Sequence, residues 1–305
     1  MYNQGLGTTA DSEFEMENSM YPLENGYVFQ KYYGNTWNDI YTTLRAEGYY
    51  TSFMHPNTST FWNREAVYNK GYHIDEYNDI TSFPDIERAG DFYSDEGFFE
   101  EAVNIMSTYE ENFCTTLVSV TTHLPFYLTG VSNLSEKLTI TDEDVEGMTD
   151  ENLKNYIISC NFVDYAFGKF MEKLEETGLI ENSIIVVYGD HGCGIDSDDL
   201  LALYVNNDDP YSSFEYDTKD VHIPFAIKIP NVVTNETITR CVSKISFIKG
   251  LGFITSKYYC INDVYYDRET LEEIEETEEL ALLQRKMEDE IYLSDTIIKN
   301  NLFAQ

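Results

Sequence analysis

A chain of 305 residues with 42% apolar and 15% aromatic side chains can bury a sizeable core, and its composition is not that of a disordered protein. Its 55 acidic and 19 basic residues leave a formal net charge of −36. That balance weighs against nucleic acid as a partner and against a general attraction to anionic lipid headgroups, since both need basic surfaces.

The first segment with chemical content is Gly5-Leu-Gly-Thr8-Thr9-Ala-Asp11-Ser-Glu-Phe14. Small residues running into hydroxyls and acids form a helix start. A hydroxyl there sits at the positive end of the helix dipole, where an alkoxide or a phosphate is stabilised; the same residues also make an ordinary cap. Thr36–Glu47 reads as a helix stopped by Gly48. Tyr49–His55 reads as a strand ending in His55, and Phe61-Trp62-Asn63-Arg64 follows it. Arg64 beside Trp62 and His55 offers an anion clamp, a bidentate guanidinium against a rigid aromatic wall. A surface arginine stacked on a ring fits the same residues.

A helix over Phe98–Glu111 precedes a nearly continuous apolar strand, Phe113–Thr122, which ends in His123. The polar, acidic stretch Leu134–Glu151 reads as a surface loop. The longest helix spans about Asp150–Thr177 and stops at Gly178, with Tyr156, Ile157, Phe162, Phe167, Phe170, Met171 and Leu174 at helical spacing. The strand Ser183–Tyr188 then runs into Gly189-Asp190-His191-Gly192. Ligands gather at the carboxyl ends of strands in open α/β sheets, and a carboxylate oxygen beside an imidazole nitrogen suits zinc or manganese. A turn capped by Asp190 fits equally. A fourth strand covers His222–Ile229, and Asp267–Asp289 reads as an acidic amphipathic helix.

Alternating strands and helices predict an α/β fold, with a mainly parallel central sheet flanked by helices. No linker or repeat interrupts the chain, so residues 1–305 are expected to form one domain: a main body over 1–235 and a C-terminal part over 236–305 that carries the acidic helix. Three of the five histidines, His55, His123 and His191, end strands, and in a parallel sheet such ends share one edge. His73 and His222 read as structural. The five cysteines are widely spaced with no CxxC pair, which predicts buried thiols rather than disulfides or a zinc ribbon. No apolar run approaches the roughly 18 residues that span a bilayer, and the first residues do not form a signal peptide. The chain as it stands is expected to be soluble.

Taken together and in this order, Asp11-Ser-Glu-Phe14, Phe61-Trp-Asn-Arg64, Thr122-His-Leu-Pro-Phe126 and Tyr188-Gly-Asp-His191 resemble signatures of the lipoteichoic acid synthases, of the alkaline phosphatase/sulfatase superfamily. The similarity runs from about Gly5 to Pro230, with a weaker match near Asp289–Phe303. The resemblance implies an enzyme on the extracellular face of the bacterial plasma membrane, anchored by a transmembrane segment expected to be missing here. Its substrate would be phosphatidylglycerol, and its acceptor a growing glycerol phosphate polymer. It also implies a threonine nucleophile, matching Thr9, and metal ligands matching Thr9, Asp190 and His191. The ion would be divalent, manganese first, with magnesium or zinc as alternatives. His55, Trp62, Arg64 and His123 match the residues around glycerol phosphate.

Two departures set expectations of their own. Relatives carry a further metal-ligand glutamate on a first strand, well before the nucleophile, and only eight residues precede Thr9. After His191 this chain reads Gly-Cys-Gly-Ile-Asp-Ser-Asp where relatives read Tyr-Gly-Ile-Ser-Glu-Asn-His. Two readings therefore stand: a fragment of a glycerol phosphate transferase, and a non-catalytic remnant that binds glycerol phosphate. A related phosphoethanolamine transferase or hydrolase keeps the chemistry with another substrate. A true sulfatase ranks low, because Thr9 cannot become formylglycine.

Overall fold

The computed structural model of the protein describes residues 7–23, 25–205, 223–232, 247–248, 252–253, 257–261, 264–267, 270 and 272–304. Helix α1 (Thr9–Asn18) and helix α2 (Ile40–Ala46) lead into strand β1 (Tyr50–Met54). Strand β2 (Glu76–Asn78), helix α3 (Asp95–Met106), strand β3 (Phe113–Leu117) and helix α4 (Glu151–Glu176) follow. β2, β1 and β3 form a parallel sheet in that order.

Consecutive strand residues point to opposite faces. On β1, Phe53 enters a core with Phe14, Tyr41, Tyr68 and Tyr72, beneath α1 and α2. Its neighbour Met54 enters a second core with Phe98, Phe99, Phe170 and Leu174, from α3 and α4. The sheet is thus covered by helices on both sides, which is why β1 is buried along nearly its whole length. Even its polar residues find partners: Ser52 stands opposite Thr115, with their hydroxyls 2.7 Å apart.

Strand β4 (Ile185–Tyr188) pairs antiparallel with strand β5 (Phe225–Lys228). The fourth strand expected from the sequence is therefore present, but it runs against its neighbour. Apolar composition marks a strand without fixing its direction, and antiparallel pairs are common beside parallel sheets. His222 lies outside the described residues.

Several boundaries moved, each for a local reason. α2 starts at Ile40 because the Asp39 carboxylate accepts the Thr42 N–H at 2.8 Å. Asn35 and Thr36, where that helix was expected to begin, instead bind the last helix: Asn35 donates to Ile298 O at 2.6 Å, and the Thr36 N–H donates to Asn301 Oδ1 at 2.9 Å. α3 begins at Asp95, placing Asp95 and Glu96 in its first turn, where the dipole favours acids. α4 matches its expected span, capped by Asp150 at one end and by Gly178 (φ 76°) beyond the other. The stretch Leu134–Glu151 is mostly turns, with short helical turns at Leu134–Lys137 and Asp142–Val145.

The acidic helix lies further along than its composition indicated. Helix α5 (Asp198–Tyr204) precedes β5, strands β6 (Tyr258–Ile261) and β7 (Val264–Asp267) follow it, and strand β8 (Glu273–Ile274) occupies part of the stretch read as helical. The helix itself, α6, spans Glu278–Asn300, where the Thr277 side chain caps it. Leu280 and Met287 of α6 pack on Tyr21 and Tyr265, and Ser294 donates to Tyr21 O at 2.7 Å. Cys114, Cys160 and Cys193 are free thiols, and the side chains of Cys241 and Cys260 lie outside the described residues.

Candidate active site

α1 begins at Thr9 because Thr8 caps it. The Thr8 backbone is extended, its hydroxyl oxygen accepts the Asp11 N–H at 3.4 Å, and its O–H donates to Asp11 Oδ2 at 3.2 Å. Capping thus falls to Thr8, and the Thr9 hydroxyl is left for other contacts at the positive end of the helix.

Those contacts come from the end of β4. Gly189 follows that strand, and a Cβ there would stand 2.8 Å from Pro224 Cδ, so only glycine lets the chain pass. The next two residues face Thr9. Its hydroxyl donates to Asp190 Oδ2 at 2.6 Å and lies 3.5 Å from His191 Nε2. The Asp190 Oδ1 accepts the His191 N–H at 2.9 Å, and His191 Nδ1 donates to Gly192 O at 2.7 Å, which turns Nε2 toward Thr9 as the acceptor nitrogen. Residues 181 positions apart in sequence meet here.

These three donor atoms can be tested as a metal corner. His191 Nε2 is 3.4 Å from Asp190 Oδ2, which closes a triangle with the 2.6 and 3.5 Å edges. Ligands about 2.0–2.1 Å from a tetrahedral ion stand about 3.3 Å from one another; the 3.4 and 3.5 Å edges match that spacing, whereas the 2.6 Å Thr9–Asp190 edge is that of a hydrogen bond and would have to open for an ion to enter. The donor set is short of carboxylates: among the described residues no group of three or more His, Cys, Asp and Glu gathers.

The second group of predicted residues lies beyond β1 and β3. His55 is buried; its Nδ1 donates to Val118 O at 2.8 Å, leaving Nε2 as the acceptor of a neutral ring. Burial first, then the charge of Arg64, push its pKa down to about 3; His123 adds to the effect and the Val118 bond opposes it. Arg64 and His123 are therefore both close enough to act on His55. His123 is exposed, edge-on to Phe92 at 5.1 Å. Trp62 packs against Tyr27 with centroids 4.4 Å apart, and its φ of 59° is unusual for so bulky a side chain.

Arg64 differs from its sequence reading in one respect. The fork expected to take an anion is held by Glu13, with Nε donating at 2.9 and 3.1 Å and Nη2 at 2.6 Å. Both side chains are buried, at 1% and 2% exposure, and Nη1 is enclosed without a hydrogen-bond partner. Burial lowers the guanidinium pKa, but Glu13 outweighs it and the net direction is upward.

Behind this pair lies a network that sequence reading missed. Burial and then the Glu13 charge hold the Glu17 carboxyl well above the usual carboxylate range, against the Tyr68, Tyr41 and Tyr72 hydroxyls. A protonated Glu17 gives every bond a donor: Tyr41 donates to Glu17 Oε1 at 2.8 Å, Glu17 bonds the Tyr68 hydroxyl, and Tyr68 donates to Glu13 Oε2 at 2.9 Å. Thr116 closes the chain at 2.6 Å from the Tyr41 hydroxyl. One sequence signal was available. Glu13 and Glu17 are four apart on one helix face, a like-charge spacing that is unfavourable unless a cation or a bound proton relieves it.

The depressed His55 pKa has a measurable consequence. Unfolded histidine takes up a proton near pH 6.5, whereas folded His55 does so only near pH 3. Between those values the unfolded state binds the extra proton, so this contribution to stability is present above pH 6.5 and lost as pH falls toward 3. Relative to His55→Asn, whose amide can replace the Nδ1 donor, the wild type should lose up to about 1.4 kcal/mol per pH unit across that window. Urea unfolding at several pH values reads the difference; equal slopes would show that His55 titrates normally.

The Sulfatase family model matches residues 1–251. The chain belongs to the Sulfatase family. Lipoteichoic acid synthase 2 of Bacillus subtilis (strain 168) is 28% identical over 99% of this chain and 50% of its own length. The solved lipoteichoic acid synthase LtaP from Listeria monocytogenes superposes with a TM-score of 0.79 at 20% identity, covering 98% of this chain and 82% of that one. A phosphoglycerol transferase, GacH of Streptococcus pyogenes, solved with sn-glycerol-1-phosphate, superposes at 0.53 and 20% identity, over 74% of this chain and 57% of its own. The fold is that of the alkaline phosphatase/sulfatase superfamily. The chain spans about half the length of the Bacillus subtilis relatives that it matches along almost its whole length. Among the described residues no helix is long and apolar enough to cross a membrane.

Proposed function

We propose that this chain carries the phosphoryl-transfer site of a glycerol phosphate transferase, with Thr9 as nucleophile, phosphatidylglycerol as donor and a glycerol phosphate polymer as acceptor. The observation that carries the reading is the Thr9 hydroxyl 2.6 Å from Asp190 and 3.5 Å from His191, at a helix N-terminus. Asp190 accepts the hydroxyl proton as Oγ1 attacks phosphorus. The Oγ1–P bond forms, the bond from phosphorus to the diacylglycerol oxygen breaks, and diacylglycerol leaves with a proton. The N-terminal amides of α1 face the charge on the transferred group. His55, Trp62 and His123 hold the glycerol phosphate oxygens in line, and Arg64, whose fork Glu13 occupies, has only Nη1 left to offer them. An acceptor hydroxyl then displaces Thr9 from phosphorus and restores it. A divalent ion held by Thr9, Asp190 and His191, manganese by preference, would lower the pKa of the hydroxyl and neutralise phosphoryl charge. The place of action is the outer face of the bacterial plasma membrane.

A second reading is binding without transfer, and it rests on the short donor set: three donor atoms, with no larger acidic or histidine group among the described residues. Calorimetric titration with Mn²⁺ tests the metal in both. Asp190→Ala should weaken Mn²⁺ by at least about 100-fold, the upper end of what losing even an outer contact costs a metal site. Equal affinity in the two proteins would remove Asp190 from any metal role.

A further inference from the structure

β3 ends at Leu117, and the chain then turns through Val118, Val120 and Thr121 to His123. The turn carries two links to the site. Val118 O accepts from His55 Nδ1 at 2.8 Å, and the His123 N–H donates to Val120 O at 3.1 Å. Only its start is tied to the sheet, where the Val118 N–H donates to Met54 O at 3.1 Å, so something else must fix the residues beyond.

That role falls to Asp95, at the start of α3. Asp95 is fully buried, at 0% exposure. Its Oδ1 accepts the Val120 N–H at 2.9 Å and its Oδ2 the Thr121 N–H at 3.0 Å, while its own N–H donates to Thr121 Oγ1 at 3.1 Å. Three reciprocal bonds join one residue to two successive residues of the turn. The helix behind it is held in turn, because Phe98, Phe99, Ala102 and Val103 pack in one core with Ala166, Phe170 and Leu174 of α4. Burial raises the Asp95 carboxyl pKa, and the Thr121 hydroxyl and two backbone donors oppose that rise.

We propose that Asp95 is a positioning residue: it fixes the turn from Val118 to His123, and through it sets where His55 and His123 stand. Its functional consequence rests on reading those histidines as glycerol phosphate contacts; its geometric content does not.

Asp95→Asn tests it with little change of shape. One acceptor survives, and the other becomes an amide group facing a backbone N–H. Two measurements separate the parts. In ring-nitrogen NMR, the His55 and His123 resonances should move while those of His73 and His191 stay. In calorimetry with Mn²⁺ present, sn-glycerol-1-phosphate should bind about tenfold more weakly, the scale of one unsatisfied buried donor, while Mn²⁺ affinity is unchanged. Should the asparagine variant fold poorly, Thr121→Val removes a single bond and should move the same two resonances less. The proposal is overturned if His55 and His123 do not move, or if all four rings shift together as in general loosening. A wild type that binds no glycerol phosphate defeats the proposed function alone, and the ring resonances still decide the role of Asp95.

Discussion

Arg64→Ala should destabilise the protein by roughly 3–5 kcal/mol, measured by urea unfolding at neutral pH. The size follows from what is left behind. Glu13 would remain at 2% exposure without its cation, next to Glu17, whose carboxyl is held well above the usual carboxylate range by burial and then by the Glu13 charge. Taking one partner from a buried pair costs far more than the pair is worth, because the stranded charge keeps its desolvation penalty. Two companions separate that account from simple loss of packing. Arg64→Lys should recover only part, since an ammonium cannot reproduce the three contacts that the guanidinium fork makes with Glu13. The double replacement Glu13→Leu with Arg64→Met should lie much closer to wild type, because neither charge is then buried. A loss below about 1 kcal/mol in Arg64→Ala would mean that the pair behaves as a surface ion pair.

Thr9→Ala should abolish transfer while leaving the fold and glycerol phosphate binding in place. Capping of α1 belongs to Thr8, so alanine at the first helical position costs the helix little. Turnover of phosphatidylglycerol should fall by at least about 10⁴-fold, the scale on which removal of a nucleophile acts. Thr9→Ser retains a hydroxyl within reach of Asp190 and should keep part of the rate. Diacylglycerol release by the wild type and both variants measures the effect, and an active alanine variant would place the nucleophile elsewhere.

The parts of this architecture that were legible in the sequence are those set by neighbours in the chain. α4 could be bounded almost to the residue, because Asp150 and Gly178 are strong local punctuation and the apolar stripe between them is regular. The direction of β5 was not legible, since apolar runs carry no polarity. The position of α6 was missed because glutamate-rich composition extends through Glu273, a strand residue, into the helix. The site divides in the same way. Asp190 and His191 stand out as a polar pair closing an apolar strand. Thr9 has no local signal, and only family resemblance points to it, as its contact with Asp190 spans 181 positions. The Glu13 partner of the Arg64 fork was not legible, because it lies 51 positions earlier, in another element. Asp95 looked like one more acid at a helix start, and only the packed chain brings Val120 and Thr121 to it.

The central claim is that Thr9 forms a covalent bond to phosphorus, and trapping that bond tests it most directly. The protein is incubated with Mn²⁺ and phosphatidylglycerol labelled in its head-group glycerol, quenched in acid, and its peptides are examined by mass spectrometry. A glycerol phosphate adduct on Thr9, absent from Thr9→Ala and from Asp190→Ala, is the predicted result. An unmodified Thr9 in a protein shown to bind both Mn²⁺ and glycerol phosphate would contradict it and leave binding without transfer as the function.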